Sequence, residues 1–597
     1  MVKKVIHPLV WLFVAPAFLS YVFPVGLYPY QDMFRDVLMF SSGMLLLCHV
    51  LWSKKIKLSW PNIAIFFPIF ICSLAINNFV SDSSASFSFN WYLLSFLFMA
   101  LIAFSVSSYA ETHSRESVVK FMAVFLVVTF TVAAVFGLAR FYGILGYLVP
   151  LVTEDGSRLI GPMGQPNLMA ILGAIALSGM LFLYRIDQFR SNYMFFSLIV
   201  LIFYVGCLTG SRSWYIAATI ALWPVLGRAL SGAMVFFRRN AAAPSSKMSM
   251  QMSVGILFLF ISVSILAPKL DDLIADPLID SGFLERSNAS EMYERRHLIA
   301  TNGRLDEWAG ILSNLDIMDH PWLGYGVGRY GVFSNKVALA TNKETNGQIW
   351  NNAHNIILNI FVEWGLFGLL IFLSFSFYLL FLLFRNTSTN DGGFLKSLVI
   401  IFIFHNLVEF SLWYLPFLGI FIASVVLLDN FRPFYFSSSW LPRAIAIGLL
   451  AVFLPLGGYV GKDMVKVTQI MYKQTPDFLD QLALRDAGRS SIVGDGALSV
   501  LILRFGPPVH NVQAELSWVE SVAEWRPEPL YLLRKATLLA AAGEQDKACQ
   551  SIQKSIFLYP DTVQSIQDEL SYLSTKGDVR PERYFKCIAS GVGHWVN

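Results

Sequence analysis

The chain has 597 residues, of which 55% are hydrophobic, 15% aromatic and only 14% charged. Soluble domains carry about 25% charged residues, so this composition excludes an ordinary soluble domain and indicates a membrane protein. The net charge of +4, without any basic block, argues against nucleic acid as a partner.

Apolar segments long enough to cross a bilayer recur along most of the chain, because a spanning helix needs about 20 such residues. They predict an all-α polytopic membrane protein with about thirteen transmembrane helices. The first segment follows Lys3 and Lys4 but lacks a small-residue cleavage site, so we interpret it as a retained signal anchor. The predicted spans lie near 8–25, 34–52, 60–78, 90–110, 118–139, 166–185, 192–209, 211–229, 250–268, 354–385, 394–410, 412–429 and 444–462.

Lysine and arginine are distributed unequally between the short loops, and this bias sets the orientation of a membrane protein. With the N-terminus inside, the short outer loops hold only Arg35, Arg140, Arg158 and Arg212. A single missed span would reverse the orientation of everything after it. The inner loops hold Lys3, Lys4, Lys54, Lys55, Lys57, Arg115, Lys120, Arg185, Arg190, Arg228, Arg238, Arg239, Lys247, Arg385, Lys396, Arg432 and Arg443.

Two long non-membrane regions then fall on the outer, periplasmic side. In the last of them, apolar residues recur at helical spacing on both sides of Gly543, and the hairpin this predicts over 529–560 resembles one tetratricopeptide-type repeat. We expect it to dock a partner or to cap the membrane part. Cys549 and Cys587 would form a disulfide in an oxidising periplasm or remain free thiols. The predicted parts are membrane segments 1–268, a large periplasmic loop 269–353, membrane segments 354–462 and a small helical periplasmic domain 463–597.

Polar groups at the ends of membrane helices are what hydropathy does not explain. Arg304 and Trp308 would share a helix face, and so would His405 and Glu409. The glycines near 324–328 indicate tight turns rather than a nucleotide-binding loop, because no GK[ST] sequence follows them. The polar stretches at the outer face are SRLIGPMGQPN (157–167), TGSRSW (209–214), TNGRLDEW (301–308), HPWLGYGVGRYG (320–331), WNNAHNIILNIFVEWG (350–365) and HNLVEFSLWY (405–414).

Each of these polar residues also has a structural interpretation. Arg158 and Arg212 would serve as interfacial anchors, and His405 and Glu409 as a pair inside the helix bundle. Their convergence on one compartment favours a shared site instead. Arginine binds phosphate through planar bidentate bonds, and His354, at a helix N-terminus, would stay neutral and act as a base. No acidic cluster has metal-ligand spacing, so we expect neither a metal nor another cofactor.

In order along 158–414, five sets of motifs resemble those of the bacterial O-antigen ligase and polymerase superfamily. The resemblance is greatest to the protein O-oligosaccharyltransferases of PglL type, because the last motif favours protein O-glycosylation. Ser411 stands where that motif is expected to have a proline. The motifs are RLIGPMGQPN, LTGSRSWY, NGRLDEW with HPWLGYGVG, AHNIILNIFVEWGLFG and HNLVEFSLWY.

The resemblance implies a glycosyltransferase of the bacterial inner membrane with its site facing the periplasm. The donor would be an oligosaccharide linked to undecaprenyl diphosphate, and the acceptor a Ser or Thr hydroxyl of pilin or another periplasmic protein. His354 would be the catalytic base in one inverting displacement, whereas a retaining reaction would need a carboxylate nucleophile, Glu363 or Glu409. The implied diphosphate ligands are Arg158, Arg212 and Arg304, and the other motif residues are Gln165, Asn167, Asn355, His405 and Glu409.

Other functions stay open. Within the superfamily, the chain would instead be an O-antigen ligase acting on lipid A core, or an O-antigen polymerase. A transporter or flippase would place its polar residues near the bilayer midplane and show symmetry between its halves, whereas here they gather at one face. A non-catalytic assembly or sensor protein would leave His354 and the outer arginines without a role.

Overall fold

The computed structural model describes most of the chain and places a helix at each predicted span. Among the described residues, eight helices, α2 to α6, α9, α12 and α15, are long and apolar enough to cross a membrane, whereas α1, α7 and α14 are shorter. The chain is therefore a multi-pass, mainly helical membrane protein, and the exact number of crossings stays a prediction. The helices are α1 (Val10–Val22), α2 (Gln31–Trp52), α3 (Phe66–Val80), α4 (Ser86–His113), α5 (Arg115–Phe141), α6 (Pro166–Arg185), α7 (Asn192–Leu208), α8 (Arg212–Phe237), α9 (Met250–Asp280), α12 (Ile356–Phe384), α13 (Asn390–Asn406), α14 (Leu415–Leu428) and α15 (Leu441–Tyr472).

The described residues are 10–23, 28–53, 57–80, 86–144, 158–189, 191–237, 249–284, 303–341, 350–385, 390–434, 440–490, 492–508, 512–576 and 579–590. In the loop predicted to be the outer one they form α10 (Arg304–Ser313) and α11 (Tyr330–Ala340). Several predictions fall outside them: the signal anchor before Val10 with Lys3 and Lys4, the inner-loop residues Lys54, Lys55, Arg190, Arg238, Arg239 and Lys247, and the loop parts 285–302 and 342–349.

Two helices run past their predicted ends. α9 continues from 268 to Asp280, and α15 continues from 462 to Tyr472. One face of each extension packs against neighbouring protein. Asp271 is fully buried and accepts a hydrogen bond of 3.0 Å from the Tyr142 hydroxyl, and Ile470 is buried among the C-terminal helices. Hydropathy measures affinity for lipid, so it did not detect helical turns that are stabilised by tertiary packing.

A short antiparallel sheet interrupts the otherwise helical architecture of the described residues. Strand β1 (Leu58–Pro61) pairs with β2 (Phe431–Phe434), with Leu58 opposite Phe434. Asp429 reinforces the junction by accepting a hydrogen bond of 2.7 Å from the Ile63 N–H. β2 lies in a predicted inner loop, and β1 begins in another and ends within the predicted third span, so the sheet ties the start of α3 to the end of α14. Strands of four residues are too short to produce a periodic sequence signal.

Helix α6 lies at the centre of the membrane part. Every residue from Leu168 to Tyr184 is buried, and the helix packs against α5, α7, α8 and α13. Pro166 occupies the first helical position, where its missing N–H costs nothing. Asn167 therefore sits in the first turn of an enclosed helix, where a polar side chain needs partners from neighbouring segments.

Helix α12 is broken at Gly365, and the outer loop repairs the break. Gly365 has φ +65° and ψ −164°, so helical hydrogen bonding is interrupted there. Unpaired backbone groups are costly near lipid, and four bonds from residues 321–326 replace the lost ones. These bonds are Leu366 N–H to Pro321 O (2.9 Å), Phe367 N–H to Trp322 O (3.0 Å), Tyr325 N–H to Val362 O (2.9 Å) and Gly326 N–H to Glu363 O (3.0 Å).

The docking of residues 321–326 against the break in α12 requires glycine at two positions, and this requirement can be tested. A Cβ on Gly365 would lie 2.5 Å from the Leu323 nitrogen, and one on Gly324 would lie 2.5 Å from the Glu363 backbone. We expect Gly365→Ala to lower the free energy of unfolding by more than about 1–3 kcal/mol, through overlap and a strained positive φ. Thermal unfolding in detergent would show a lower midpoint. Gly310→Ala on α10 meets open space and is the control; an unchanged midpoint for Gly365→Ala would contradict the docking.

The helices after α15 form a second core above the membrane part. Tyr30 and Met33, at the start of α2, and Ala338 of α11 belong to this core. The predicted hairpin is confirmed as α19 and α20, which meet at Gly543. A disulfide joins Cys549 on α20 to Cys587 on α22, with Cα atoms 5.3 Å apart. The helices are α16 (Phe478–Ala487), α17 (Gly494–Arg504), α18 (Val512–Trp525), α19 (Pro529–Ala541), α20 (Gln545–Leu558), α21 (Thr562–Thr575) and α22 (Glu582–Ser590).

Asp495 on α17 makes the stability of this C-terminal core depend on pH. Burial raises the pKa of its carboxyl from 3.8 to about 6, and Arg526, 3.6 Å away, offsets only part of this effect. Because the folded pKa is the higher one, the stabilisation is complete below pH 3.8 and is lost as the pH rises through about 6.

Asp495→Asn should therefore raise the free energy of unfolding at pH 7, on the order of 2–3 kcal/mol. Arg526 keeps its partner Glu528, whose Oε1 accepts a bond of 2.6 Å from its Nε. Urea unfolding of the full chain in detergent at pH 4 and pH 7 measures the effect. A variant no more stable than the wild type at pH 7 would show that the charged carboxylate is not costly.

Candidate functional site

Glu409 joins three of the predicted site residues. Its Oε1 accepts hydrogen bonds from Arg304 Nη2 and Asn167 Nδ2, each 2.6 Å long. Its Oε2 lies 3.1 Å from His354 Nδ1. Only 5% of the Glu409 side chain is exposed, and a buried carboxylate without partners would cost several kcal/mol. These four side chains therefore form one connected polar network.

Arg304 reaches the network from the first position of α10. Gly303, with φ +69°, turns the chain into that helix, and Arg304 Nη1 also binds the Val408 carbonyl. Trp308, one turn along, donates from its indole nitrogen to the Ala353 carbonyl at 2.6 Å. The predicted shared face of Arg304 and Trp308 is thus confirmed, and it holds the backbone on both sides of the network.

His354 adopts a left-handed backbone conformation with φ +46°. Such a conformation costs a non-glycine residue about 1–3 kcal/mol and needs support from its surroundings. The Asn352 side chain supplies it by accepting a bond of 2.9 Å from the His354 N–H. Asn355 then caps α12, since its side-chain oxygen accepts from the N–H groups of Ile357 and Leu358 at 3.0 and 3.2 Å. Asn355 therefore fixes the helix start that orients His354.

The surroundings of the imidazole assign its proton. The rings of Trp350 and Phe410 meet the His354 ring edge-on, with centroids 5.3 and 4.8 Å away. Because Nδ1 faces the Glu409 carboxylate, it carries the proton of the neutral ring, and Nε2 holds the lone pair. His354 also lines a cavity.

Arg158 joins the network through Asn167. Its Nη2 donates to Asn167 Oδ1 at 3.2 Å, and its Nε donates to the Thr209 carbonyl at 2.8 Å. Arg212 begins α8 three residues after Thr209, and its side chain is exposed. Gln165 precedes Pro166, is half-buried and accepts from the Met169 N–H at 3.2 Å through its carbonyl. Arg158 is thus part of the network. Arg212 and Gln165 lie close to it along the chain, Arg212 three residues after Thr209 and Gln165 two residues before Asn167.

The expected helix face shared by His405 and Glu409 is corrected by the structure. α13 ends at Asn406, whose side chain donates to Ser411 Oγ at 3.0 Å and accepts from the Leu412 N–H at 3.1 Å. This turn takes Glu409 out of α13 and brings its carboxylate to His354. His405 is buried.

An apolar cavity of about 440 Å³ begins at His354 and Glu409. It runs beside α12, on both sides of the Gly365 break, as far as Leu380. Its volume is that of a ligand site. The aromatic residues lining its polar end are Trp91, Tyr92, Trp364, Phe410 and Trp413.

Two family models match long segments of this chain. Residues 197–373 match the family described as O-Antigen ligase, and residues 394–570 match the family described as Virulence factor membrane-bound polymerase, C-terminal. The matches support the O-antigen ligase and polymerase superfamily. They therefore indicate a membrane enzyme of glycosyl transfer and do not distinguish the PglL type. A search of curated proteins found no match to the chain.

The two superfamily matches contain Arg212, Arg304, His354 and Glu409, whereas Arg158, Gln165 and Asn167 precede the first one. Asn167 nevertheless binds Glu409, and Arg158 binds Asn167, so these two earlier residues are connected to the matched segments. Within the part of the chain that the structure describes, no group of three or more His, Cys, Asp or Glu residues is arranged to hold a metal ion. Metal independence stays a prediction.

Sequence reasoning missed residues that support the superfamily motifs from outside them. The Tyr92 hydroxyl donates to Glu363 Oε2 at 2.7 Å inside the cavity. Asn77 donates to the Leu323 carbonyl at 2.6 Å and accepts from the Val327 N–H at 3.2 Å. An asparagine in an apolar helix is a recognisable signal, but a tyrosine is common in membrane helices, so Tyr92 gave none.

Proposed function

We propose that the protein transfers an oligosaccharide en bloc from undecaprenyl diphosphate to Ser or Thr hydroxyls of pilin or other periplasmic proteins. The observation that carries this proposal is the Glu409 carboxylate, which joins His354 to Arg304 at the end of an apolar cavity. A base and a fixed cation beside a cavity for a lipid tail are the elements that this reaction needs.

The arginines and the cavity support a lipid diphosphate as donor. The isoprenoid chain would lie along α12 in the cavity, with its diphosphate near Arg304 and Arg158. Arg212, at the N-terminus of α8, adds an exposed guanidinium at the positive end of a helix dipole. Guanidinium groups neutralise the charge of the departing diphosphate without a metal ion, and this is the basis for proposing a metal-independent reaction.

The reaction would be a single displacement at the anomeric carbon. The acceptor oxygen forms a bond to that carbon while the bond from carbon to the diphosphate oxygen breaks. His354 Nε2 takes the hydroxyl proton, and Glu409 stabilises the resulting imidazolium through Nδ1–H. The leaving undecaprenyl diphosphate is held by the arginines, and the configuration inverts. Glu409 is a poor nucleophile here, because both of its oxygens already have partners.

The periplasmic side is supported by two independent features. The basic residues of the short loops are concentrated on the face opposite to the site, and such residues favour the cytoplasmic side. The disulfide between Cys549 and Cys587 is of a kind that persists in oxidising compartments. The C-terminal core also reaches the His354 segment, since Asn351 Nδ2 donates to Glu528 Oε1 at 2.9 Å. An acceptor protein held by those helices would lie close to the base.

An O-antigen ligase acting on lipid A core, or an O-antigen polymerase, is the second candidate. The descriptions of the two matching families, ligase and polymerase, favour it. Both reactions use the same donor chemistry and differ in the acceptor. The shared network of Glu409 therefore suits all three enzymes, and the acceptor has to be found by experiment.

Intact-mass analysis of pilin and periplasmic proteins tests the proposal. A deletion strain complemented with the wild-type chain should carry glycan on proteins, and one complemented with His354→Ala should not. Lipopolysaccharide from the same strains should be unchanged. Loss of O-antigen attachment or polymerisation with unmodified proteins would instead favour the second candidate.

A further inference from the structure

We propose that Arg35 and Asp36, in the second turn of α2, position the two turns that carry Asn167 and Glu409. We call these two residues the α2 clamp. They lie outside the six polar stretches and outside the network of Glu409. The proposal rests on the proposed function, because it assigns these residues a role in the same reaction.

Arg35 holds the turn that leads into α6. Its Nη1 donates to the Met163 carbonyl at 2.8 Å, and its Nη2 donates to the Pro162 carbonyl at 2.9 Å. Asp32 Oδ1 accepts a further bond of 2.9 Å from Nη1, and only 4% of the Arg35 side chain is exposed. The residues after Met163 are Gly164, Gln165, Pro166 and Asn167, so the bound turn sets where Asn167 stands.

Asp36 holds the chain after Glu409. Its Oδ1 accepts a bond of 2.8 Å from the Leu415 N–H at the start of α14, and the residue is 2% exposed. The chain from Asn406 to Leu415 forms one turn, and Asn406 holds its first part by binding Ser411. Asp36 and Asn406 thus fix this turn at its two ends, and Glu409 lies between them.

The two turns meet through side chains that are distant in sequence. Asn167 and Glu409 are 242 residues apart and share a bond of 2.6 Å, which requires both turns to be placed accurately. Consecutive residues of one rigid helix bind both turns, so α2 sets their separation. A guanidinium can bridge two carbonyls and a carboxylate in a fixed plane, and the ammonium of lysine cannot reproduce that geometry.

Transfer kinetics of the full chain in lipid nanodiscs test the clamp. We expect Arg35→Met and Arg35→Lys to lower kcat on the order of 10²-fold, as for a small misplacement of catalytic groups, with little change in the KM for the lipid-linked donor. Asp36→Asn keeps an acceptor oxygen and should retain most of kcat, whereas Asp36→Leu should not. A wild-type kcat in Arg35→Met would overturn the proposal.

Arg385→Met is the matched control. Arg385 donates from Nη2 to the Leu428 carbonyl at 2.6 Å, so its loss removes a similar arginine–carbonyl bond at the opposite end of α14. We expect its kcat to equal that of the wild type. A kcat reduced as much as in Arg35→Met would mean that the effect is general destabilisation, and the positioning role would be rejected.

Hydrogen exchange gives a second readout that needs no transfer activity. In Arg35→Met, amides of peptides covering 158–169 should exchange faster than in the wild type, and in Asp36→Leu those covering 407–416 should do so. Unchanged exchange in these peptides would overturn the clamp. If the wild-type chain transfers no glycan, the proposed function fails, and the exchange rates alone decide whether the clamp holds the two turns.

Discussion

Replacing His354 with alanine is expected to lower the rate of glycan transfer by about 10²- to 10⁴-fold, the usual contribution of a general base. The variant keeps the cavity and the arginines, so donor binding should persist. Purified protein, lipid-linked oligosaccharide and an acceptor protein suffice for the measurement. The effect should be on kcat rather than on the KM for the donor, because Nε2 acts on the acceptor hydroxyl in the transition state.

His320→Ala is the matched control for this prediction. His320 lies in the same outer loop and has an exposed side chain, and its backbone carbonyl, which accepts from Gly324 N–H at 2.7 Å, is retained. Transfer by this variant should equal that of the wild type. Wild-type transfer by His354→Ala, with the protein folded and monodisperse, would exclude the imidazole as the base.

The second large effect is expected on stability, at Arg534 in the C-terminal core. Arg534 on α19 is 1% exposed and binds Glu515 and Glu569 at 3.1 and 3.0 Å. Its Nη2 also donates to the Ile502 and Phe505 carbonyls. Arg534→Ala would leave two carboxylates and two carbonyls without this donor, which should cost about 3–5 kcal/mol of the free energy of unfolding.

Hydrogen exchange of the full chain in detergent measures the loss at Arg534, in peptides covering 512–576. These peptides should exchange much faster in Arg534→Ala, while peptides of α6 should be unaffected. Arg489→Ala is the control, because that side chain is 86% exposed and lies 4.0 Å from Asp486; a change under about 0.5 kcal/mol is expected. Equal exchange in Arg534→Ala and the wild type would contradict a central role for this ion network.

The helices of the membrane part were predictable because lipid imposes one simple requirement. A segment that faces hydrocarbon must be apolar over about 20 residues, so composition reports it directly. The extensions of α9 and α15 were not predictable in this way. Residues such as Asp271 and Ile470 are held by neighbouring helices, and that information is tertiary.

The members of the site were also largely predictable, since each is a polar group in one of the stretches predicted to face the outer side. Their pairing was not. The spacing of His405 and Glu409 suggested one helix face, but the Asn406 turn ends α13 between them. Glu409 became the centre of the network only when α10 and the His354 segment were brought to it by the fold. Sequence spacing predicts which residues are neighbours on a helix, but it does not predict contacts between turns that are distant in sequence.

The most direct test of the central claim is a double-mutant cycle between His354 and Glu409, measured as the transfer rate. If Glu409 acts through His354, Glu409→Gln should lose much of the rate, and the double variant with His354→Ala should be no slower than the worse single variant. The two losses would then be strongly non-additive. Fully additive losses would show that the two side chains act independently and would contradict the shared network.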